Sequence, residues 1–245
     1  MSPARERIEL EQGYVLHQRA YRESSALLEI FTAEHGRVGL VARGVRSARS
    51  RQRGELQAFR PLRLSWQLRG ELGTLTGVET GGPAVSLSGR ALYSAFYLNE
   101  LLLRLLTRSD PCPDLFLAYQ DSLNGLGTGL PLELVLRRFE IRLLQESGYG
   151  LPLDCDTATG KALVDDGLYD YHLESGPVEV DPGTESGFLF RGASLLAMAQ
   201  SDFSDISVLQ DAKRLLRAAL RLYLGDKPLK SRELFRAERR PTDPW

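Results

Sequence analysis

Nine arginines (37, 43, 46, 49, 51, 53, 60, 63 and 69) fall in one stretch of the chain, against one acid, Glu55, and no lysine. A guanidinium keeps its charge at any physiological pH, and its planar fork of donors matches two phosphate oxygens at once. Nine positive charges less one acid leave a local excess of +8 in a 245-residue chain whose formal net charge is only −1. Like charge at that density repels itself unless a polyanion supplies the counter-charge. Phosphate backbones are the usual supplier, because neutralising them releases condensed counterions. Arg37, Arg43, Arg46, Arg49, Arg51, Arg53, Arg63 and Arg69 are therefore candidate nucleic-acid contacts. The five from Arg43 to Arg53 sit among Gly44, Gly54 and two serines, with little apolar content, so this loop is expected to stay unpacked and leave its arginines free. Tyr14, Tyr21, Phe31, Phe59 and Trp66 are nearby aromatics of the kind that stack on bases, although the period of two around Trp66 assigns it to a core.

Two further basic features follow. Arg214, Arg217 and Arg221 recur at i, i+3 and i+7 with Lys213 beside them, which puts a positive stripe on one helix face. Lys227, Lys230, Arg232 and Arg236 prolong it. Arg137 and Arg138 adjoin Leu134, Phe139 and Ile141, a mixture suited to an acidic peptide with an apolar tip. Charge is segregated: residues 151–190 hold nine acids against one lysine, whereas residues 211–245 hold ten bases against five acids.

Catalytic patterns are missing. The chain has no GxxxxGK[ST], GxGxxG, HExxH or GxSxG, and His17, His35 and His172 have no partnered spacing. A calcium loop counted from Asp154 would put Thr159 where glycine is required, and zinc would find at most Cys155 and His172. No catalytic residue, metal or cofactor is expected. Cys112 and Cys155 lie far apart with no CxxC partner, and nothing indicates an oxidising compartment. The N-terminal residues carry no apolar run of the signal type, and the apolar stretch 91–106 is interrupted by Glu100 and Arg104. The expected address is the cytoplasm, in association with the nucleoid, without a membrane partner.

The elements that must present these side chains change character near Gly81-Gly82-Pro83. Before it, strands are expected over Tyr14–Arg19, Ala26–Phe31, Arg37–Arg43, Leu62–Arg69 and Gly73–Glu79, with a turn at Glu34-His35-Gly36. Five short strands in eighty residues suggest a small antiparallel barrel. After it, helices are expected over 90–108, from Pro113 to about Leu123 with a stop at Asn124-Gly125, from Pro131 to Gly148, from Ser194, over Ser207–Leu224, and after Ser231. Residues 151–190 break the helical pattern, apart from a short alternating piece at Tyr169–Leu173, and the tail 239–245 is expected to be loose. The fold class is α+β: an N-terminal antiparallel barrel over 1–82, then a helical domain over 83–245 with an acidic, irregular insertion at 151–190.

Tyr14-Val-Leu-His, Glu23–Thr32, Gly36–Gly44, Tyr97–Leu102, Leu136–Glu140, Gly148-Tyr-Gly and Leu229–Phe235, in this order and spacing, resemble the bacterial recombination mediator family RecO over residues 10–237. The resemblance implies that the barrel is an OB-fold. It also implies binding of single- and double-stranded DNA, annealing of complementary strands, and partnership with RecR and single-stranded DNA-binding protein in loading RecA. By the same resemblance Arg137 corresponds to the arginine that receives the acidic C-terminal tail of single-stranded DNA-binding protein. Many relatives carry a four-cysteine zinc site in the region of 151–190. Only Cys155 remains here, which suggests a zinc-free branch. A pure protein adaptor, with Arg137, Arg138 and the basic helix taking acidic partners and DNA contact incidental, is the alternative reading.

Overall fold

Alternating side chains build the first half of the molecule. The computed structural model describes residues 6–70, 72–185, 187–225 and 227–238, with side chains for all of these except Arg51, Arg69, Arg236, Ala237 and Glu238. Strands β1 (Arg7–Tyr21), β2 (Ser25–Thr32), β3 (Gly36–Ala42), β4 (Leu62–Arg69) and β5 (Leu72–Thr80) close into a barrel in the order β1-β2-β3-β5-β4. Closure leaves no sheet edge unpaired. Four seams are antiparallel, and β3 with β5 is parallel. The parallel seam arises because residues 43–61 carry the chain across the barrel end before β4 starts. Leu28, Ile30, Leu40, Leu64 and Trp66 fill the interior, so the expectation of a core Trp66 holds.

That crossing segment corrects one expectation. It is not unpacked: Val45 and Leu56, 1% and 3% exposed, belong to the barrel core. Short turns link them, with Ser47 N–H donating to Gly44 O and Ser50 N–H to Ser47 O, then a 3-10 turn at Arg51–Gly54.

Strand β2 is buried on both faces. Its Phe31, with Tyr14 of β1, meets Phe116 and Tyr119 of helix α2 (Pro113–Thr128) at ring-centroid distances of 5.3–6.0 Å. Burying each such ring contributes about 1.5–3 kcal/mol. Buried Asn99 of helix α1 (Gly89–Leu105) ties the layers together, donating to Leu16 O at 3.0 Å and accepting from Tyr119 Oη at 2.6 Å. Helix α2 runs past Asn124-Gly125, where a stop was expected, because Gly125 is buried mid-helix. It ends at Gly129, whose φ of +84° makes the left-handed cap.

By compactness the chain forms two units, 1–130 with 228–245, and 131–227. In the first, helix α6 (Ser231–Glu238) returns to α1, where Tyr93 meets Phe235 edge-on. The second contains α3 (Leu132–Glu146), α4 (Gly192–Ala199) and α5 (Ile206–Leu224). Its acidic part is not irregular throughout, as expected, but holds a three-stranded antiparallel sheet in the order β7-β6-β8, from β6 (Leu168–His172), β7 (Gly176–Glu179) and β8 (Leu189–Arg191). Asp156 anchors the insertion, accepting from the N–H groups of Ala158, Thr159 and Glu179 at 2.8–2.9 Å. The expectation of a loose tail at 239–245 lies outside the described residues.

Candidate nucleic-acid interface

The arginine loop leaves β3 at Arg43 and is stapled to the β1–β2 turn. Arg46 N–H donates to Ser24 O at 2.8 Å, and the Arg46 guanidinium donates to the carbonyls of Arg22 and Glu23 at 3.1 and 3.4 Å. At the other end Arg60 reaches back to Gly54 O at 3.2 Å. Between these staples Arg43, Arg46, Arg49 and Arg53 are exposed, and none pairs with a described carboxylate. Four guanidiniums carried on a hydrogen-bonded loop, with no described carboxylate paired to them, form an anion-binding surface. Arg63 is exposed on β4 opposite Glu79. The backbones of Arg51 and Arg69 fall within the 3-10 turn and β4, and their side chains lie outside the description.

Arg37 is different. It points inward, donating to the carbonyl of Leu103 and lying 3.8 Å from Glu29, which also binds Arg108. Burial pushes its guanidinium below the ordinary value, Glu29 opposes that, and Arg108 adds to it. Its charge is committed to joining β2 and β3 to the end of α1. Glu29 faces Arg37's strand across the hairpin, but Leu103 and Arg108, which complete the site, are remote from the arginine cluster.

In the second unit the basic stripe of α5 is divided. Lys213 pairs with Glu133 at 2.7 Å. Arg214 is a strut: it donates to the carbonyl of Leu189, pairs with Asp211 at 3.2 Å, and lies 4.1 Å from the ring centroid of Phe190. Arg217 and Arg221 are exposed and make no ion pair with a described acid. On α3, Arg137 is 8% exposed and bound to Glu140 at 2.8 Å, while its neighbour Arg138 is exposed, makes a long contact, 3.5 Å, to Ser201 O, and helps to lower the Asp202 carboxyl by its charge.

Of the stacking candidates, Tyr14, Phe31, Phe59 and Trp66 are buried and only Tyr21 is partly open, with Arg22 over its ring at 5.2 Å. Sequence reading missed Arg22, which the β1–β2 turn brings beside Arg46. A turn of polar residues at 22–24 was the available signal.

Among the described residues no cluster of three or more histidines, cysteines or acids is placed to hold a metal ion. Burial raises the Cys155 thiol, and neighbouring Asp154 and Asp156 add to this, so the reactive thiolate is disfavoured. No helix among the described residues is long and apolar enough to cross a membrane.

A five-stranded closed barrel followed in sequence by a helical body defines an OB-fold-type protein. Family models for Recombination protein O match here, the N-terminal one over residues 7–83 and the C-terminal one over 87–233. The chain is 49% identical over 234 residues to DNA repair protein RecO of Nitrosococcus oceani, covering 96% of this chain and 95% of that one. It is 48% identical to the RecO of Alkalilimnicola ehrlichii, covering 94% and 92%, and 44% identical to that of Methylococcus capsulatus, covering 94% of each. The chain belongs to the recombination protein O family of DNA repair and recombination proteins.

Proposed function

We propose that this protein is a non-enzymatic recombination mediator that binds single- and double-stranded DNA, anneals complementary strands, and works with RecR and single-stranded DNA-binding protein to load RecA. The observation that carries the DNA reading is the stapled loop presenting Arg43, Arg46, Arg49 and Arg53 without a described carboxylate among them. Arg63 extends the basic set within the barrel's unit, and Arg217 and Arg221 on α5 are a separate exposed basic pair of the second unit. Annealing requires two polyanions to approach, and fixed guanidiniums lower that repulsion with no bond made or broken. Arg37, Lys213 and Arg214 hold the fold together in this scheme and do not touch DNA. Residues 1–82 act as the DNA-binding module and 83–245 as the helical module, in a cytoplasmic, nucleoid-associated protein.

For the acidic tail of single-stranded DNA-binding protein, the exposed Arg138 is the better partner, because Arg137 is already bound to Glu140. The test is anisotropy of a labelled single strand as salt is raised. The log–log slope should be roughly 0.7 per phosphate neutralised. Binding that ignores salt overturns the reading. Titration of an acidic tail peptide into an Arg138→Ala variant tests the partner assignment separately: its affinity should fall, while affinity for DNA stays unchanged.

A further inference from the structure

Phe96 is the one aromatic of α1 that is more than a third exposed, at 39%. It is not an isolated surface ring. It meets Phe59 edge-on, with centroids 4.9 Å apart and planes at 72°. Phe59 is itself buried and holds a φ of +64°, a left-handed conformation that costs a bulky residue about 1–3 kcal/mol. That strained residue sits at the foot of the arginine loop. It is next to Arg60, whose guanidinium folds back onto Gly54, and Arg53 and Gly54 form part of the loop's 3-10 turn. The ring contact thus seats the end of the loop against α1, and it joins the partly open ring of Phe96, through Phe59 and Arg60, to the turn that carries Arg53.

Basic groups interleaved with an open aromatic ring suit a strand whose bases are unpaired, because the phosphates take the charge and a base takes the ring. A duplex keeps its bases stacked inside and offers the ring nothing. We propose that Phe96 is a base-stacking residue that makes the loop select unpaired nucleic acid. This rests on the DNA-binding reading of the arginine loop and assigns it a specificity-determining residue. The charges of Arg43, Arg49 and Arg53 act on any phosphate chain. Phe96 acts only where a base is free.

The test compares three labelled ligands of equal length at one salt concentration: a single strand, a strand with abasic spacers over the same phosphates, and a duplex. Wild-type protein should prefer the strand with bases over the abasic one. Phe96→Leu, which keeps an apolar side chain, should weaken binding of the single strand about 5- to 150-fold. It should leave the abasic strand, the duplex and the salt slope unchanged, and Phe96→Tyr should restore the preference. An equal loss on all three ligands, no loss on the single strand, or failure of Phe96→Tyr to rescue overturns the assignment. Wild-type indifference to the abasic spacers does so too, without needing any variant to fold. If wild-type protein binds none of the three ligands, the DNA-binding reading itself falls. Binding without base preference sinks only Phe96.

Discussion

Glu100 on α1 accepts from Ser231, 131 positions later, through both the backbone N–H at 2.8 Å and the hydroxyl at 2.7 Å. It also accepts from Lys230 N–H at 2.9 Å. These are orphan donors at the start of α6, so a carboxylate from another helix supplies the cap that α6 lacks in its own sequence.

Removing this cap should loosen α6. Glu100→Ala should cost about 1–2 kcal/mol in chemical denaturation, and Ser231→Ala less, since the backbone donors survive it. Burial works to raise the Glu100 carboxyl, but the bonds from Ser231 and Lys230 and the charge of Arg104 outweigh it, and the net direction is down. With a depressed folded value, the contribution is present above the ordinary carboxylate range of about 4.3 and is lost as pH falls below it. The wild type should therefore lose its advantage over Glu100→Ala in melts run towards acid pH.

Gly36 and Gly44 form a matched pair. Both have positive φ, at +63° and +67°, but an added Cβ would stand 2.0 Å from Asp110 O at Gly36 and meet nothing within 4 Å at Gly44. Gly44→Ala should cost about 1 kcal/mol for the backbone alone, and Gly36→Ala about 2–4 kcal/mol, as seen in denaturation midpoints.

Loop charge and buried charge should separate cleanly. Arg43/Arg49/Arg53→Ala should lower DNA affinity and reduce the salt slope by roughly 0.7–0.9 for each phosphate left unneutralised, with an unchanged melting temperature. Arg37→Ala should instead lower the melting temperature, because it leaves Glu29 with Arg108 alone and the Leu103 carbonyl without its donor.

On α5 the same contrast falls on neighbours. Arg214→Ala removes the strut against Phe190 and should destabilise the second unit by about 1–2 kcal/mol, while Arg217→Ala should leave stability alone. Thermal melts of the two variants side by side decide it.

The Asp156 carboxylate is held below its ordinary value by the N–H bonds of Glu179 and Thr159 first, with Ala158 adding to them. Its contribution is therefore present above about pH 4 and fades below that. Asp156→Asn should make the 151–190 segment more sensitive to protease at neutral pH. Chelators should leave that sensitivity unchanged in the wild type.

Much of the barrel was legible because its strands obey a period of two: Leu62–Arg69 is predicted and found with identical limits. The α2 terminus was not, since Asn124-Gly125 looks like a stop until the packing that buries Gly125 is known. The site was legible as a concentration of charge and illegible as geometry. Arg214 differs locally from Arg217 only by Asp211 three residues before it, and Arg37 from Arg43 only by lying across a hairpin from Glu29. What commits them is a carbonyl from a distant part of the chain, Leu103 for Arg37 and Leu189 for Arg214, and only the folded molecule supplies it. Phe96 was hidden for the opposite reason, in a leucine-rich run where every aromatic reads as core.

Because α6 joins the barrel's unit from beyond residues 131–227, that unit is completed only by sequence that follows the whole of the other. A nonsense codon between Lys227 and Ser231 would remove α6, sparing the intervening unit and leaving the barrel's unit incomplete. Loss of the final helix should thus be felt at the opposite terminus, as slower maturation of the barrel's helical flank.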